Sequence, residues 1–263
     1  MKADRMEKEY SLPLKDIRPV GKDNYLLTFQ CPEIASRANP GQFVNISCGL
    51  FLKRPFGICS ADPKNGEFSI GVRVIGDGTR KISQSRVGDV FEILGPLGHG
   101  FNFDGIQKLL VVGGGTGVFP LHFALSRAAA LGIPTICVNG YRSASETVML
   151  DECRIASDCF CVSTDAGDLG TKGTVIDVLS SMELDPGLAV FTVGPEIMMK
   201  KVSEWAVGRD FACQVSMEKR MACGVGACLV CVCKMKAADQ PDGFTHVRCC
   251  KEGPVMNASE VVW

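Results

Sequence analysis

From about Glu9 to Phe103 the chain reads as short apolar, β-branched runs separated by turn residues. Tyr25–Phe29, Gln42–Ile46, Phe68–Ile75 and Asp89–Leu94 are the clearest, with Pro40-Gly41, Lys64-Asn65-Gly66 and Gly95-Pro96 between them. Short strands at regular spacing predict an antiparallel barrel or sandwich. The pattern then changes. Lys108–Val112 is a continuous apolar run, as a strand buried on both faces requires, and it leads into Gly113-Gly114-Gly115-Thr116-Gly117 and a helical stretch to about Leu131. Strand-like runs recur at Thr135–Val138, Cys159–Val162, Ala189–Val193 and Phe211–Val215, with helical stretches between several of them, one from Glu196 to about Val207. Strand–helix alternation predicts a parallel α/β sheet.

From about Met217 a cysteine- and glycine-rich tail begins. The predicted chain is therefore multi-domain: an antiparallel β-barrel over 1–104, an α/β parallel-sheet nucleotide domain over 105–216, and a small C-terminal module over 217–263. A length of 263 residues suits such a division better than a single core.

A net charge of -1 gives no reason to expect nucleic acid or an anionic membrane surface as partner. No apolar run approaches the roughly 18 residues of a membrane span. Met1–Lys8 lacks the apolar centre of a signal peptide, so a cytoplasmic location is expected. In that reducing setting the 14 cysteines read as metal ligands, redox groups or small buried hydrophobes rather than disulfides. Cys31, Cys48, Cys59, Cys137, Cys153, Cys159, Cys161 and Cys213 lie in or beside apolar runs and are expected to be buried packing residues.

The tail is different. Cys223-x4-Cys228-x2-Cys231, followed at a distance by Cys249-Cys250, has the plant-type ferredoxin spacing for a 2Fe–2S centre. Gly224 and Gly226 fit a loop that must reach positive φ and aim N–H groups at sulfur. A structural zinc site prefers two C-x2-C pairs and matches this run poorly. On spacing alone Cys233, Cys249 and Cys250 all remain open as partners for the first three.

Gly113-x-Gly115-x-Gly117-x-x-Pro120 lies where a strand turns into a helix, a place whose backbone N–H groups favour a phosphate. The strict dinucleotide fingerprint fails, because Val118 stands at its last glycine, and tight packing is the alternative; the strand before it and Pro120 in the first helical turn favour nucleotide binding. Arg54-Pro55-Phe56-Gly57-Ile58 and Gly76-Asp77-Gly78-Thr79 in the barrel half offer an arginine for a diphosphate and a hydroxyl with nearby N–H groups. Gly194-Pro195 ends a strand where α/β sheets bind ligands, or simply starts a helix. His99, His122 and His246 show no metal or nucleophile spacing and read as structural or solvated.

Pro40-Gly41-Gln42-Phe43-Val44, Arg54–Ile58, Gly76–Thr79, Gly95–Phe101, the Gly113–Pro120 loop and Gly194–Met198 resemble the ferredoxin–NADP reductase superfamily. Within it, Glu218–Cys228 and Cys250–Val255 are similar to the electron-transfer subunits of type B dihydroorotate dehydrogenases. The resemblance runs through nearly the whole chain. It implies an FAD-binding barrel, an NAD-binding α/β domain and a 2Fe–2S module. It implies that Arg54, Pro55, Phe56, Gly57, Gly71, Val72, Arg73, Gly78 and Thr79 hold FAD, that Gly113, Gly115 and Gly117 serve the nucleotide, and that Cys223, Cys228, Cys231 and Cys250 ligate iron. It also implies a partner, the FMN-containing dihydroorotate dehydrogenase catalytic subunit, in a heterotetramer of two of each, serving pyrimidine synthesis. The dihydroorotate site would lie on that partner, leaving this chain without a substrate-converting residue of its own.

Relatives of the same superfamily serve other partners, among them sulfide dehydrogenases, transhydrogenases and hydrogenases. The transhydrogenase type tends to carry Asp at a cluster position, so four cysteines here favour the pyrimidine role. Three positions depart from the family pattern: Gly57 stands where Ser or Thr is usual, Val193 where Cys often precedes Gly-Pro, and Ala166 where a second Asp is frequent.

Overall fold

The computed structural model describes residues 8–263, so the N-terminal stretch and the first residues of the expected barrel unit lie outside the described residues. Six strands form a closed barrel: β1 (Glu9–Gly21), β2 (Asn24–Gln30), β3 (Phe43–Ile46), β4 (Arg54–Asp62), β5 (Glu67–Arg73) and β6 (Val90–Leu97). Their order around the barrel is β1-β2-β5-β4-β3-β6, and every pairing is antiparallel. Period-two patterning drives this. In β1, Tyr10, Leu12 and Leu14 turn inward while Glu9, Ser11 and Pro13 face out. The inward set of all six strands, including Leu27, Phe29, Ile58, Phe68, Ile70 and Ile93, fills the barrel. Phe29 and Phe68 stack there with ring centres 5.5 Å apart. Helix α1 (Pro32–Arg37) adds the buried Ile34 to this core, and α2 (Asp77–Ser83) adds Ile82.

The chain then winds through β7 (Leu109–Gly114), α3 (Val118–Ala130), β8 (Thr135–Tyr141), α4 (Leu150–Ile155), β9 (Cys159–Thr164), β10 (Thr171–Lys172), α5 (Val175–Ser181), β11 (Ala189–Val193), α6 (Glu196–Val207) and β12 (Ala212–Ser216). These strands form one parallel sheet in the order β10-β9-β8-β7-β11-β12. All six residues of β7 are buried, as a central strand covered on both faces demands.

The tail supplies a hairpin, β13 (Val232–Lys236) with β14 (Phe244–Arg248), and then β15 (Val255–Asn257). Strand β15 pairs antiparallel with β12, Val215 opposite Met256, and becomes the seventh strand of the large sheet. Met217, Met221, Cys233, Met235, Cys249 and Met256 pack into one continuous core with Val190, Trp205 and Val215. The small C-terminal module is therefore not free-standing. Too short to bury a core of its own, it borrows the face of the α/β domain. Among the described residues no helix is long and apolar enough to cross a membrane.

Candidate functional site

A cavity of about 950 Å³ opens where the barrel, the α/β sheet and the tail meet. Its walls come from Arg54–Gly57 on β4, Gly71 and Arg73 on β5, the Gly114–Gly117 turn, Phe119 and Pro120 on α3, Val193–Pro195, and Ser216–Met221 leading toward the first cysteine. On β5 strand alternation turns Gly71 and Arg73 to the cavity, while Val72, wholly buried, points into the barrel core and does not line it.

Arg54 lies along the wall, its Nη1 donating to the carbonyls of Leu52 at 2.7 Å and Lys53 at 3.4 Å. Gly78 makes room for it, because a Cβ there would stand 3.0 Å from Arg54 Nε. Thr79 Oγ1 accepts from the N–H groups of Ile75 at 3.0 Å and Gly76 at 3.1 Å and donates to the Gly76 carbonyl at 3.0 Å. That hydroxyl ties down the turn that opens α2, and Thr79 also borders the cavity.

A second cavity, of about 430 Å³, adjoins the first at the carboxyl ends of β7, β8 and β9. Arg73, Gly114–Thr116 and Pro195 border both. The second is otherwise walled by Tyr141, Arg142, Ser163, Asp165, Thr174 and Lys201, among others. Arg73 reaches across from the barrel to Glu146 of the α/β domain, Nη2 to Oε2 at 3.7 Å. The three glycines singled out at this turn divide. Gly115 has open space beside its Cα, whereas Gly117 is pressed against Val193, whose carbonyl oxygen would stand 2.2 Å from a Cβ. Gly113 lines neither cavity and is enclosed by Asn139, Val118 and Leu121.

The cysteine loop runs through left-handed backbone. Gly224 and Gly226 take φ values of +75° and +84°, and Leu229 is also left-handed at +57°. The sulfurs associate two by two. The Cys228 N–H donates to Cys223 Sγ at 3.4 Å, and the Cys250 N–H donates to Cys231 Sγ at 3.4 Å. Burial works against a Cys223 thiolate, but the backbone N–H groups of Val225, Cys228 and Ala227, with the Cys228 thiol, outweigh it and draw the pKa down to about 6. Cys250 is pushed up to about 12 by burial and by the Cys231 thiol beside it.

Cys249 faces away from this group, its Sγ donating to the Met217 carbonyl at 3.2 Å, and burial pushes its thiol up. Cys233 likewise turns to the Val247 carbonyl at 3.7 Å. Among the described residues no three His, Cys, Asp or Glu side chains converge as a single-ion site. Two sulfur pairs, with N–H groups aimed at sulfur, fit a two-iron centre better than one tetrahedral ion. Arg248 braces the loop, pairing with Glu252 and donating from Nη1 to the Gly226 carbonyl at 3.1 Å.

The remaining cysteines are mostly packing residues, but Cys159 is exposed and Cys161 only half-buried, because β9 lies near the sheet edge beside the two-residue β10. His99 is structural: its Nδ1 lies 2.8 Å from the Lys251 carbonyl. His122 is also structural, packed against Cys59 with Nδ1 3.3 Å from the carbonyl. Sequence reasoning missed Phe119 and Ser216–Met221 as cavity walls. No spacing marks them, since the pairing of β15 with β12 carries the latter segment there.

Residues 11–102 match the oxidoreductase FAD-binding domain family. Residues 218–262 match the iron–sulfur cluster binding domain of dihydroorotate dehydrogenase B. The chain is 36% identical over 252 residues to the dihydroorotate dehydrogenase B (NAD(+)) electron transfer subunit of Fusobacterium nucleatum, covering 92% of this chain and 94% of that one. The corresponding subunit of Caldanaerobacter subterraneus is 35% identical over 250 residues, 94% of this chain and 95% of its own. Among solved structures, an NADH-dependent reduced ferredoxin–NADP oxidoreductase matches with a TM-score of 0.86 and 27% identity, covering 97% of this chain and 90% of that chain. The ferredoxin reductase of carbazole 1,9a-dioxygenase, at 20% identity and a TM-score of 0.65 over 78% of this chain and 67% of that one, shares the fold. A barrel with an FAD-binding signature, an α/β sheet and a cysteine module, in that order and aligned end to end with these relatives, place the chain in the family of dihydroorotate dehydrogenase B electron transfer subunits.

Proposed function

We propose that the chain relays electrons between an FMN-containing dihydroorotate dehydrogenase catalytic subunit and NAD+, using a 2Fe–2S cluster and FAD. The observation that carries this reading is the shared wall of the larger cavity. This cavity meets the nucleotide cavity at Arg73, Gly114–Thr116 and Pro195, and Ser216–Met221, the segment that runs into the cysteine loop, forms another part of its wall. One site thus lies beside the second cavity and at the entry to the cysteine loop. FAD, when bound, exchanges hydride with a nicotinamide and single electrons with a cluster.

The chain's own residues prepare each site. Arg54, packed against the buried Gly78, offers a guanidinium on the cavity wall for a diphosphate. Gly57 and Gly71 present bare backbone to the cavity, while Phe56 lines its wall. Phe119 and Met221, both buried, give the cavity wall apolar surface. Gly115 and Thr116, at the turn before α3, line the nucleotide side, Gly115 with open space beside its Cα. Cys223, Cys228, Cys231 and Cys250 would hold the cluster as thiolates, and the turned-away sulfur of Cys249 favours Cys250 as the fourth ligand. Three functional units follow, 1–104 for FAD, 105–216 for NAD and 217–263 for the cluster. The assembly is a heterotetramer of two chains of each kind, acting in the cytoplasm.

Co-purification with the candidate catalytic subunit tests this. The complex is expected to show flavin and iron–sulfur absorption and to reduce NAD+ when given dihydroorotate. A chain that oxidises NADH with dyes while its partner never accepts dihydroorotate refutes the pyrimidine assignment. The likeness to an NADH-dependent reduced ferredoxin–NADP oxidoreductase favours a second reading, the same cofactors serving a different partner, and that outcome would select it.

A further inference from the structure

Asn45 is a polar residue in an apolar strand. On β3 it stands between Val44 and Ile46, both core residues of the barrel, and its own side chain faces the other way. It is wholly buried, and its Oδ1 has no hydrogen-bond partner among the described residues. Leaving such a group unpaired costs on the order of 1–3 kcal/mol, so its retention calls for a reason. Its surroundings supply one. The Nδ2 group donates toward the Cys223 carbonyl at 3.5 Å. The next residue, Gly224, is fitted to the amide so closely that a Cβ would stand 2.5 Å from Asn45 Nδ2 and 3.4 Å from Leu97 Cδ1. On the other side, Asn45 is registered opposite Pro55, which lines the larger cavity. One buried amide therefore joins the wall of that cavity to the first turn of the cysteine loop.

We propose that Asn45 is a positioning residue for electron transfer: it clamps the Cys223–Gly224 turn onto the barrel and sets the placement of the cluster relative to the flavin. The inference rests on reading Cys223 as an iron ligand and the cavity as the FAD site. A polar amide does this better than a leucine of similar size, because it holds the loop by a directional bond while the glycine closes over it. Residues of this outer kind control metal sites strongly although they touch no metal.

The test uses the full chain purified with its flavin and cluster, as wild type, Asn45→Leu and Asn45→Ala. Flavin content and the rate of flavin reduction by NADH are expected to match wild type. NADH-driven reduction of the cluster is expected to slow roughly tenfold or more, with an altered EPR signal from the reduced cluster. Loss of iron with full flavin retention also supports the clamp. An unchanged EPR signal and rate overturn it, and so does joint loss of flavin and iron, which marks a general folding role. Gly224→Ala should reproduce the defect and be non-additive with Asn45→Ala, since both act on one contact. Iron missing from the wild type would instead refute the ligand assignment on which the inference stands.

Discussion

Pro120, in the first turn of α3, stands directly over the α-carbon of Gly57 on β4: a Cβ at Gly57 would lie 3.1 Å from Pro120 Cβ and 3.3 Å from Cγ. The contact joins the α/β domain to the barrel at the edge of the larger cavity. The proline ring leaves little room for a side chain at Gly57.

Gly57→Ser should therefore cost about 1 kcal/mol through overpacking, read as a lower midpoint in thermal or urea unfolding. Adding Pro120→Ala should recover most of that loss. A Gly57→Ser protein as stable as wild type would show that the ring yields freely.

Gly71 meets α3 more tightly still. A Cβ there would fall 2.0 Å from Phe119 Cγ, inside the ring's own contact distance. Gly71→Ala is expected to destabilise by about 3 kcal/mol, with Gly71→Ala/Phe119→Ala less damaged than the sum of the single changes. Additive losses in that cycle would place the two residues apart in solution.

Cys249 and Cys250 are neighbours with opposite surroundings. Cys250→Ser should abolish the iron–sulfur absorption, since its backbone and thiol sit at Cys231. Cys249→Ser should keep it, since that thiol is bonded to the Met217 carbonyl. Cys228→Ser, at an exposed loop position, should remove the cluster and leave flavin bound. Iron and flavin assays on the three variants decide each point.

Arg54→Ala should weaken FAD by roughly 1.5–3 kcal/mol, the range for a charge-assisted hydrogen bond. Equilibrium dialysis or flavin fluorescence would measure it. Unchanged flavin retention would separate Arg54 from the diphosphate.

His122 provides a pH handle. Burial holds its pKa below the usual imidazole value, and the Cys59 carbonyl only partly opposes this. The unfolded chain takes up that proton near pH 6.5, so unfolding binds a proton at mildly acid pH. Stability should thus be fully present above about pH 6.5 and drain away as pH falls toward the depressed native value. His122→Gln should flatten the slope of the melting temperature between neutral and mildly acid pH; an equal slope would assign the dependence to other groups.

Much of this organisation is legible along the chain, because it is written in local patterns. The period of two in Glu9–Leu14 is a barrel strand, and the unbroken apolar run of β7 is a strand covered on both faces. Cys223, Cys228 and Cys231 are separated by a loop whose glycines reach positive φ. These features depend on residues a few positions apart, where side-chain periodicity and backbone freedom act directly.

Only the tertiary structure decided what lies between the elements. Val72 and Gly113 belong to the quoted motifs yet face packed interior, since alternation and neighbouring side chains set their direction. Thr79 spends its hydroxyl on its own turn. Asn45 meets Cys223, Gly57 meets Pro120 and Ser216–Met221 line the cavity, because strands distant in sequence pair and carry them together. Sequence spacing specifies which chemistry a segment can hold; long-range pairing and close packing specify what that segment touches.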